Sequence, residues 1–284
     1  MKHDYIQVNN INIHYVEEGQ GQLVILLHGW PDFWYGWKKQ IPVLSKKYRV
    51  VAPDLRGFNL SDKPKHVNDY RIGAVTADIA ELIKKLGSGK ALIVGNDWGG
   101  IIAWVLATDF PELVDKVVFV NIVHPAEIRN ALFSFNFSQW KKSYYIFAFQ
   151  LPWIPEWIVG RNLKKFFKMI FTKLSPNAPD TVAGDFIAKY VEAYSRHGTL
   201  TSSINLYRAG MRNINDLRLH SSKPLSMPVL MLWGEKDITL SKELAERSKK
   251  YCSTVKTVSD PLGGHFLQLD NPELVNRELL DFFG

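Results

Sequence analysis

The sequence predicts an α/β protein: a mostly parallel sheet with helices on both faces, interrupted by an inserted helical segment. Short apolar runs closed by turn residues recur on both sides of the chain's centre, as is typical of buried parallel strands. Amphipathic stretches separate these runs, and such alternation favours a sheet covered on both faces. A central block differs from the rest in charge and aromatic content, which favours an insertion.

Five runs predict the buried strands. They cover residues 23–27, 48–52, 91–94, 117–120 and 229–233. Residues 5–9 and 12–16 are separated only by Asn10 and Ile11, so they predict a hairpin at the edge of the sheet. Apolar periodicity predicts helices over residues 75–86, 101–108, 161–174 and 179–194.

The central block spans residues 125–218. It holds thirteen Lys or Arg and six Asp or Glu, which accounts for the whole net charge of +7, and it holds 17 of the 36 aromatic residues. We therefore expect an inserted unit at residues 125–218 and a core formed by residues 1–124 and 219–284.

Composition excludes several classes of protein. Cys252 is the only cysteine, which excludes an intrachain disulfide framework and a cysteine-ligated metal cluster. The longest apolar run, residues 101–107, has seven residues, whereas a membrane-spanning helix needs about twenty. The first residues contain no apolar signal core. We expect a globular cytoplasmic protein, monomeric or homodimeric, with no cofactor and no metal.

Asp97 is the first candidate functional residue. The run at residues 91–94 leads into residues 95–100, which read GNDWGG. Glycines two positions before and two after Asp97 permit a sharp turn that raises its side chain above the sheet, at the start of a helix. Taken alone, the pattern favours a helix N-cap at Asp97 over a functional residue.

Two further side chains follow strands or lie in glycine-rich loops. Asp237 comes just after the run at residues 229–233, and His265 follows two glycines near the end of the chain. Each alone is a turn or surface residue. Because functional groups gather at the carboxyl ends of parallel strands, and because the order nucleophile, acid, histidine is that of hydrolase triads, the three together predict a catalytic set.

The loop after residues 23–27 supports this prediction. It reads His28-Gly29-Trp30-Pro31. In triads of this order, a backbone N–H from this loop joins the N–H after the nucleophile to form an oxyanion hole. The sequence thus predicts Trp30 and Trp98 as N–H donors. It predicts that His28, Gly29 and Pro31 form the loop beside the substrate; the alternative role of His28 is to brace this loop.

These segments resemble the α/β-hydrolase superfamily, in its epoxide hydrolase and haloalkane dehalogenase branch. The resemblance covers essentially the whole chain and includes HGWP at 28–31, DLRG at 54–57, SDKP at 61–64 and DWGG at 97–100. It implies an α/β-hydrolase fold with an eight-stranded sheet, a helical cap at residues 125–218 and a cis peptide bond before Pro31. Asn96 departs from the family, which usually has His there, and residues 121–125 read NIVHP where the family has N-x-P-H-P.

Two cap segments, residues 144–152 and 205–208, extend the resemblance. They imply that Tyr145 and Tyr207 are the pair of tyrosines that assist ring opening in epoxide hydrolases. From the residues alone, both would be packed aromatic side chains.

The residue types indicate displacement at a saturated carbon. A carboxylate can attack such a carbon and form an ester, which His265, held by Asp237, would hydrolyse by activating water. An epoxide oxygen needs a proton, which tyrosine can supply, whereas a halide prefers N–H donors such as the Trp98 indole. We therefore expect epoxide hydrolysis to a vicinal diol. The alternatives are haloalkane or haloacetate dehalogenation and ligand binding without turnover; Trp98 stands where haloacetate dehalogenases usually carry Arg.

The expected partners are a small hydrophobic epoxide or halide and water. Nucleic acid is not expected, because a pI near 9.3 is insufficient by itself. The basic aromatic run at residues 161–173 could attract acidic substrates or rest on an anionic membrane surface. A solvated helix face with inward aromatic side chains is the simpler expectation.

Overall fold

The protein is built on a single eight-stranded sheet. The computed structural model describes residues 1–87, 89–133, 145–216 and 224–284. Its strands are β1 Lys2–Val8, β2 Ile11–Glu18, β3 Leu23–Leu27, β4 Arg49–Pro53, β5 Ala91–Asn96, β6 Val114–Val120, β7 Val229–Gly234 and β8 Val255–Asp260. They lie in the order β1-β2-β4-β3-β5-β6-β7-β8. The pairings of β1 with β2 and of β2 with β4 are antiparallel, and all others are parallel. The predicted fold class is confirmed.

Helices cover both faces of the sheet. The described helices are α1 Ile41–Leu44, α2 Ile72–Leu86, α3 Trp98–Asp109, α4 Pro125–Phe133, α5 Ile154–Gly160, α6 Leu163–Leu174, α7 Gly184–Ser195, α8 Thr199–Arg212, α9 Lys242–Ser248, α10 Leu267–Asp270 and α11 Pro272–Phe283. Residues 145–148 are also helical. Every residue of β3 is buried, because its alternate side chains enter two separate apolar clusters, one shared with α2 and α3 and the other with α1 and α11. None of these described helices is both long and apolar enough to cross a membrane.

The predicted hairpin is present, but its turn lies one residue earlier than predicted. Asn9 and Asn10 connect β1 and β2, and both have positive φ, of 45° and 65°. Two-residue hairpin turns favour this conformation, and Asn tolerates it better than a β-branched residue such as Ile11. Ile11 is instead buried as the first residue of β2, where its side chain joins the core.

Two predicted helices begin later than the sequence periodicity suggests. Asn162 separates α5 from α6, and its side chain accepts a hydrogen bond from the backbone N–H of Lys165, which is the role of an N-cap. The predicted helix at residues 179–194 starts as a 3-10 turn over Pro179–Val182 and becomes α7 only at Gly184.

The eighth strand, β8, is absent from the apolar runs in the sequence. It lies at the edge of the sheet beside β7 and reads VKTVSD, with one residue exposed and four partly buried. An edge strand has fewer buried side chains to supply, so its sequence carries a weak apolar signal.

Residues 125–133 and 145–212 contain no strand in the part of the chain that the structure describes, and they contribute α4 to α8. In this region α6 and α7 share an aromatic cluster that includes Phe167, Phe171 and Tyr190, and it packs on Phe33 and Phe266 of the core. The division into a core and a cap stays a prediction. Its boundary between residues 218 and 219 lies outside the described residues.

Candidate active site

Asp97 occupies a sharp turn between β5 and α3. Its φ and ψ are 51° and −124°, a conformation that costs free energy in a residue with a side chain and is therefore seen mainly where the surroundings enforce it. The backbone is tightly packed here, since a Cβ at Gly95 would collide with Gly99 and one at Gly99 would collide with Leu27. The glycines predicted to permit the turn thus do so by removing side chains, and Asp97 is left at the carboxyl edge of the sheet.

The loop after β3 contacts the Asp97 carboxylate. The backbone N–H of Trp30 donates to Oδ1 of Asp97 at 2.8 Å, and the peptide bond before Pro31 is cis, as expected. A Cβ at Gly29 would collide with the Asp97 side chain, so a glycine is needed at that position. Trp98 is the first residue of α3, where a backbone N–H has no acceptor within its own helix.

His28 supports this loop from inside the protein. It is completely buried, and its Nε2 accepts a hydrogen bond from the backbone N–H of Leu55 at 3.0 Å. Its Nδ1 therefore carries the proton and donates to the carbonyl of Gly29 at 2.8 Å. Burial lowers the pKa of His28, which favours the neutral ring. His28 therefore connects the loop to Leu55 through these two hydrogen bonds.

His265 lies between two carboxylates. Its Nε2 is 3.3 Å from Oδ2 of Asp97, and its Nδ1 is 2.8 Å from Oδ2 of Asp237. Asp237 also accepts hydrogen bonds at Oδ1 from both the backbone N–H and the hydroxyl of Thr239, each at 2.7 Å. The three side chains predicted as a set, separated by up to 168 residues of chain, therefore meet at one place.

The charges of this cluster determine its protonation. Burial alone would lower the pKa of His265, but the carboxylates of Asp237 and Asp97 outweigh burial and raise this pKa to about 10. Burial would likewise raise the pKa of Asp237, yet His265, Thr239 and Asn121 hold it below its ordinary value. The two neighbouring carboxylates therefore favour the imidazolium form of His265.

Tyr145 and Tyr207 lie together in the cavities that Asp97 also lines. Their rings are 5.9 Å apart, centroid to centroid, and meet nearly at right angles. The Tyr207 ring also packs edge-to-face on Trp98, at 5.1 Å. Burial, then the charge of Asp97, raises the pKa of Tyr207 well above 10, so its hydroxyl keeps its proton at neutral pH. The matched segment that contains Tyr145 begins at Tyr144, which lies outside the described residues.

Two apolar cavities meet at these residues. The larger has a volume of about 500 Å³ and is lined by His265, Trp30 and the aromatic and aliphatic side chains of residues 148–174. The smaller measures about 70 Å³ and is lined mainly by aliphatic side chains of α3, α4, α8 and α9. Asp97, Tyr145 and Tyr207 line both cavities, so both cavities adjoin the Asp97 carboxylate.

Two residues support the site although the sequence predicted no role for them. Asn121, at the end of β6, donates to Oδ2 of Asp237 at 3.0 Å and accepts from the backbone N–H of Gly234 at 2.9 Å. Arg208 donates to the carbonyls of Phe149 and Leu151 and forms an ion pair with Glu156 at 2.6 Å, which ties α8 to the segment after Tyr145. Both residues lie in segments that resemble the family, and this resemblance is the only feature of the sequence that could have indicated their importance.

Asn96 holds the place where the family usually has His. Its side chain donates to the carbonyls of Val120 and His265 at 2.9 and 3.1 Å and accepts from Gln268 at 3.3 Å. It therefore links β5, β6 and the His265 loop from beneath the site. In the described parts of the chain, no group of three His, Cys, Asp or Glu side chains has a metal-binding arrangement.

Comparison with known proteins identifies the family. The alpha/beta hydrolase fold family matches residues 22–272. The chain is 36% identical to the AB hydrolase superfamily protein YfhM of Bacillus subtilis, over 99% of this chain and 98% of that protein. It is 35% identical to Epoxide hydrolase 1 of Caenorhabditis elegans, over 98% of this chain and 69% of that protein.

Solved structures give the same result. The crystal structure of the Bacillus megaterium epoxide hydrolase in complex with an inhibitor superposes with a TM-score of 0.89 and 30% identity, and covers 99% of each chain. In sequence and in fold, the match therefore covers nearly the whole of this chain. The chain belongs to the α/β-hydrolase fold family, as an epoxide hydrolase-like enzyme.

Proposed function

We propose that this enzyme hydrolyses small hydrophobic epoxides to vicinal diols through a covalent ester on Asp97. One observation carries the proposal. The Asp97 carboxylate accepts a hydrogen bond from the Trp30 N–H at one oxygen, has His265 within 3.3 Å of the other, and lines a cavity together with two tyrosines. A carboxylate in that position suits attack on a saturated carbon.

In the first step Oδ2 of Asp97 attacks a ring carbon. The carbon–oxygen bond of the ring breaks, and the oxygen takes a proton from Tyr145 or Tyr207. This gives a hydroxyalkyl ester and a tyrosine phenolate. Because the pKa of Tyr207 lies well above 10, its phenolate readily regains a proton.

Ester formation also changes His265. Alkylation removes the charge of Asp97, and with it one of the two carboxylates that raise the pKa of His265. The imidazolium then releases a proton, which restores the phenolate through solvent. His265 becomes neutral, which is the form that can act as a general base.

In the second step His265 removes a proton from water, and the hydroxide attacks the carbonyl carbon of the ester. The negative charge develops on Oδ1, where Trp30 already donates and where the Trp98 N–H would be the second donor. The intermediate collapses, the bond from the carbonyl carbon to the alkylated oxygen breaks, and the imidazolium protonates the departing diol. Asp97 then gives its proton to His265, which restores the carboxylate and the imidazolium.

The two cavities support a substrate with unequal substituents. The cavity of about 70 Å³ is the smaller of the two, so it suits the smaller substituent. The cavity of about 500 Å³ has room for a larger apolar group. An epoxide carrying one large and one small substituent fits this arrangement best.

Side-chain N–H donors for a halide are less available. The indole N–H of Trp30 donates to the Ser203 hydroxyl at 3.2 Å, and the amide of Asn96 is bonded to backbone carbonyls. The Trp98 side chain is also engaged, in a hydrogen bond with Tyr207. The tyrosine pair supplies an acid for an epoxide oxygen, so the geometry favours epoxides over carbon–halogen bonds.

The test is to trap the ester. His265→Gln should form it and fail to hydrolyse it, so incubation with styrene oxide should raise the intact mass of the protein by one whole epoxide per chain. The control is the same variant carrying Asp97→Ala, which should gain no mass. Gain of an alkyl group alone from a 1-bromoalkane, with bromide released and no epoxide adduct, would establish a dehalogenase. No adduct from either reagent would contradict the covalent mechanism.

A further inference from the structure

The larger cavity opens on an exposed apolar surface. Six large apolar side chains with exposed fractions of 44 to 70% belong to this surface: Leu151, Trp153, Trp157, Ile158, Met169 and Ile238. Leu151, Ile158, Met169 and Ile238 also line the cavity. We call these six side chains, with Arg161, Lys165 and Lys173, the mouth face.

Basic residues flank the apolar side chains in two stripes. On α6, Lys165, Met169 and Lys173 follow at intervals of four residues, so they lie along one side of the helix. Trp157 lies in α5, Trp153 and Arg161 border that helix at its two ends, and the Arg161 guanidinium lies 4.7 Å from the centre of the Trp157 ring.

The positive charge of this region is not balanced locally. Residues 145–178 contain five Lys or Arg and a single acid, Glu156. Both carboxylate oxygens of Glu156 accept hydrogen bonds from Arg208. Arg161, Lys165 and Lys173 form no ion pair with another described residue. An approaching anionic surface would therefore meet uncompensated cations.

The apolar side chains of the mouth face are not the phenylalanines of the basic aromatic run at residues 161–173. Phe167 and Phe171 are buried, as expected of aromatic side chains packed inward. The exposed apolar groups are instead two Trp, a Met and three aliphatic side chains around an opening. Trp is favoured at the boundary between lipid and water because its ring is apolar and its N–H is polar.

We propose that the mouth face docks on an anionic lipid surface, so that an apolar substrate can pass from the bilayer into the larger cavity. Docking needs only the surface residues, whereas the passage of an epoxide rests on the proposed function. Lysine stems can lie along apolar surface while their ammonium groups reach lipid phosphates. A second copy of this chain is a poorer occupant, because a two-fold interface would set these cations against one another.

The test is co-sedimentation of the full chain with vesicles of phosphatidylcholine alone or mixed three to one with phosphatidylglycerol. We expect binding to the anionic vesicles only, and its loss in high salt. Arg161→Glu with Lys165→Glu should weaken this binding by roughly 30-fold or more, from the contribution of each cation near such a surface. Trp153→Ser with Trp157→Ser should weaken it by about tenfold or more, by removing the apolar contacts.

Matched controls are available elsewhere on the surface. Lys46 and Lys47 are exposed beside the start of β4, at the opposite end of the parallel strands, and Tyr5 is an exposed aromatic side chain on β1. Lys46→Glu with Lys47→Glu, and Tyr5→Ser, should leave vesicle binding within about twofold of the parent, since neither site belongs to the mouth face. Circular dichroism checks that each variant is folded.

Four results would overturn the proposal: no binding to either vesicle, equal binding to both, equal losses in control and mouth-face variants, or a dimer that the Trp double variant dissociates. Since the assay measures binding and not turnover, it separates this proposal from the proposed function. Absence of vesicle binding would contradict the docking proposal even in a chain that forms the ester on Asp97.

Discussion

Replacing Asp97 by Asn should lower the pKa of His265, because the amide is neutral, as the ester of the proposed intermediate is. In the parent protein the imidazolium lies between Asp97 and Asp237. Asparagine has nearly the shape of aspartate and can still accept the Trp30 N–H. The variant thus reproduces the loss of one charge without the alkyl group.

The magnitude follows from the cluster. A pKa of about 10 against an ordinary value of 6.5 corresponds to a preference for the imidazolium of order 5 kcal/mol, at roughly 1.4 kcal/mol per pH unit. Asp237 raises this pKa more than Asp97 does. One neighbouring opposite charge typically changes a pKa by about 1–3, so we expect a decrease in that range for Asp97→Asn and a larger one for Asp237→Asn.

The assay is an NMR titration of histidine-labelled protein. The resonance of His265 is the one missing in His265→Gln. His197, which is exposed, serves as the internal reference, because its resonance should be the same in the parent and in Asp97→Asn. The lower pKa of His265 should also alter the pH dependence of the free energy of unfolding. Protonated His265 stabilises the fold fully below pH 6.5, and this contribution is lost as the pH rises through about 10. Asp97→Asn should move that loss to lower pH. A parent His265 that titrates near 6.5, or one that is unchanged in Asp97→Asn, would refute the reasoning.

Three further predictions concern other residues. Tyr145→Phe and Tyr207→Phe should each slow alkylation of Asp97, and the double variant should reduce its rate by about 10²- to 10⁴-fold. The rate is measured as adduct formation in the His265→Gln background. An unchanged rate in the double variant would exclude both tyrosines as acids. Asp32 is buried and its pKa is raised to about 7 by burial, so the folded state binds more protons than the unfolded state between pH 4 and 7, and stability falls with rising pH. Asp32→Asn should remove this dependence, which amounts to a difference of up to about 4 kcal/mol in the free energy of unfolding between pH 4 and pH 8, measured with urea. An unchanged difference would contradict the prediction. Cys252→Ser should keep kcat/KM within about twofold, because the thiol is half-buried, outside both cavities, and has a pKa raised to about 12 by burial.

The strands that position the site were predictable because they are buried on both faces. β3, β5 and β7 are buried throughout, and each delivers a functional segment at its carboxyl end. β8 lies at the edge of the sheet and supplies none of the predicted site residues, so neither an apolar run nor a functional residue indicated a strand there. The turn at Asn9 and Asn10 was predicted one residue late because apolar alternation alone does not locate positive φ.

The supporting residues were harder to predict, since their partners are remote in sequence. Asn121 and Asp237 are 116 residues apart, and no local pattern relates an amide at one strand end to a carboxylate at another. What the sequence offered was an Asn just after an apolar run. Asn is one of the few residues with a side chain that adopts positive φ readily, and Asn121 has a φ of 46°.

That backbone conformation has a chemical consequence. Asn121 turns its amide back across β7, so that it accepts from the Gly234 N–H and donates to Oδ2 of Asp237. The same oxygen faces Nδ1 of His265, while Thr239 binds the other oxygen. Asp237 is therefore held as a carboxylate in both halves of the proposed cycle. Since Asp97 gains and loses its charge in that cycle, a fixed charge at Asp237 lets His265 alternate between imidazolium and base without leaving its place.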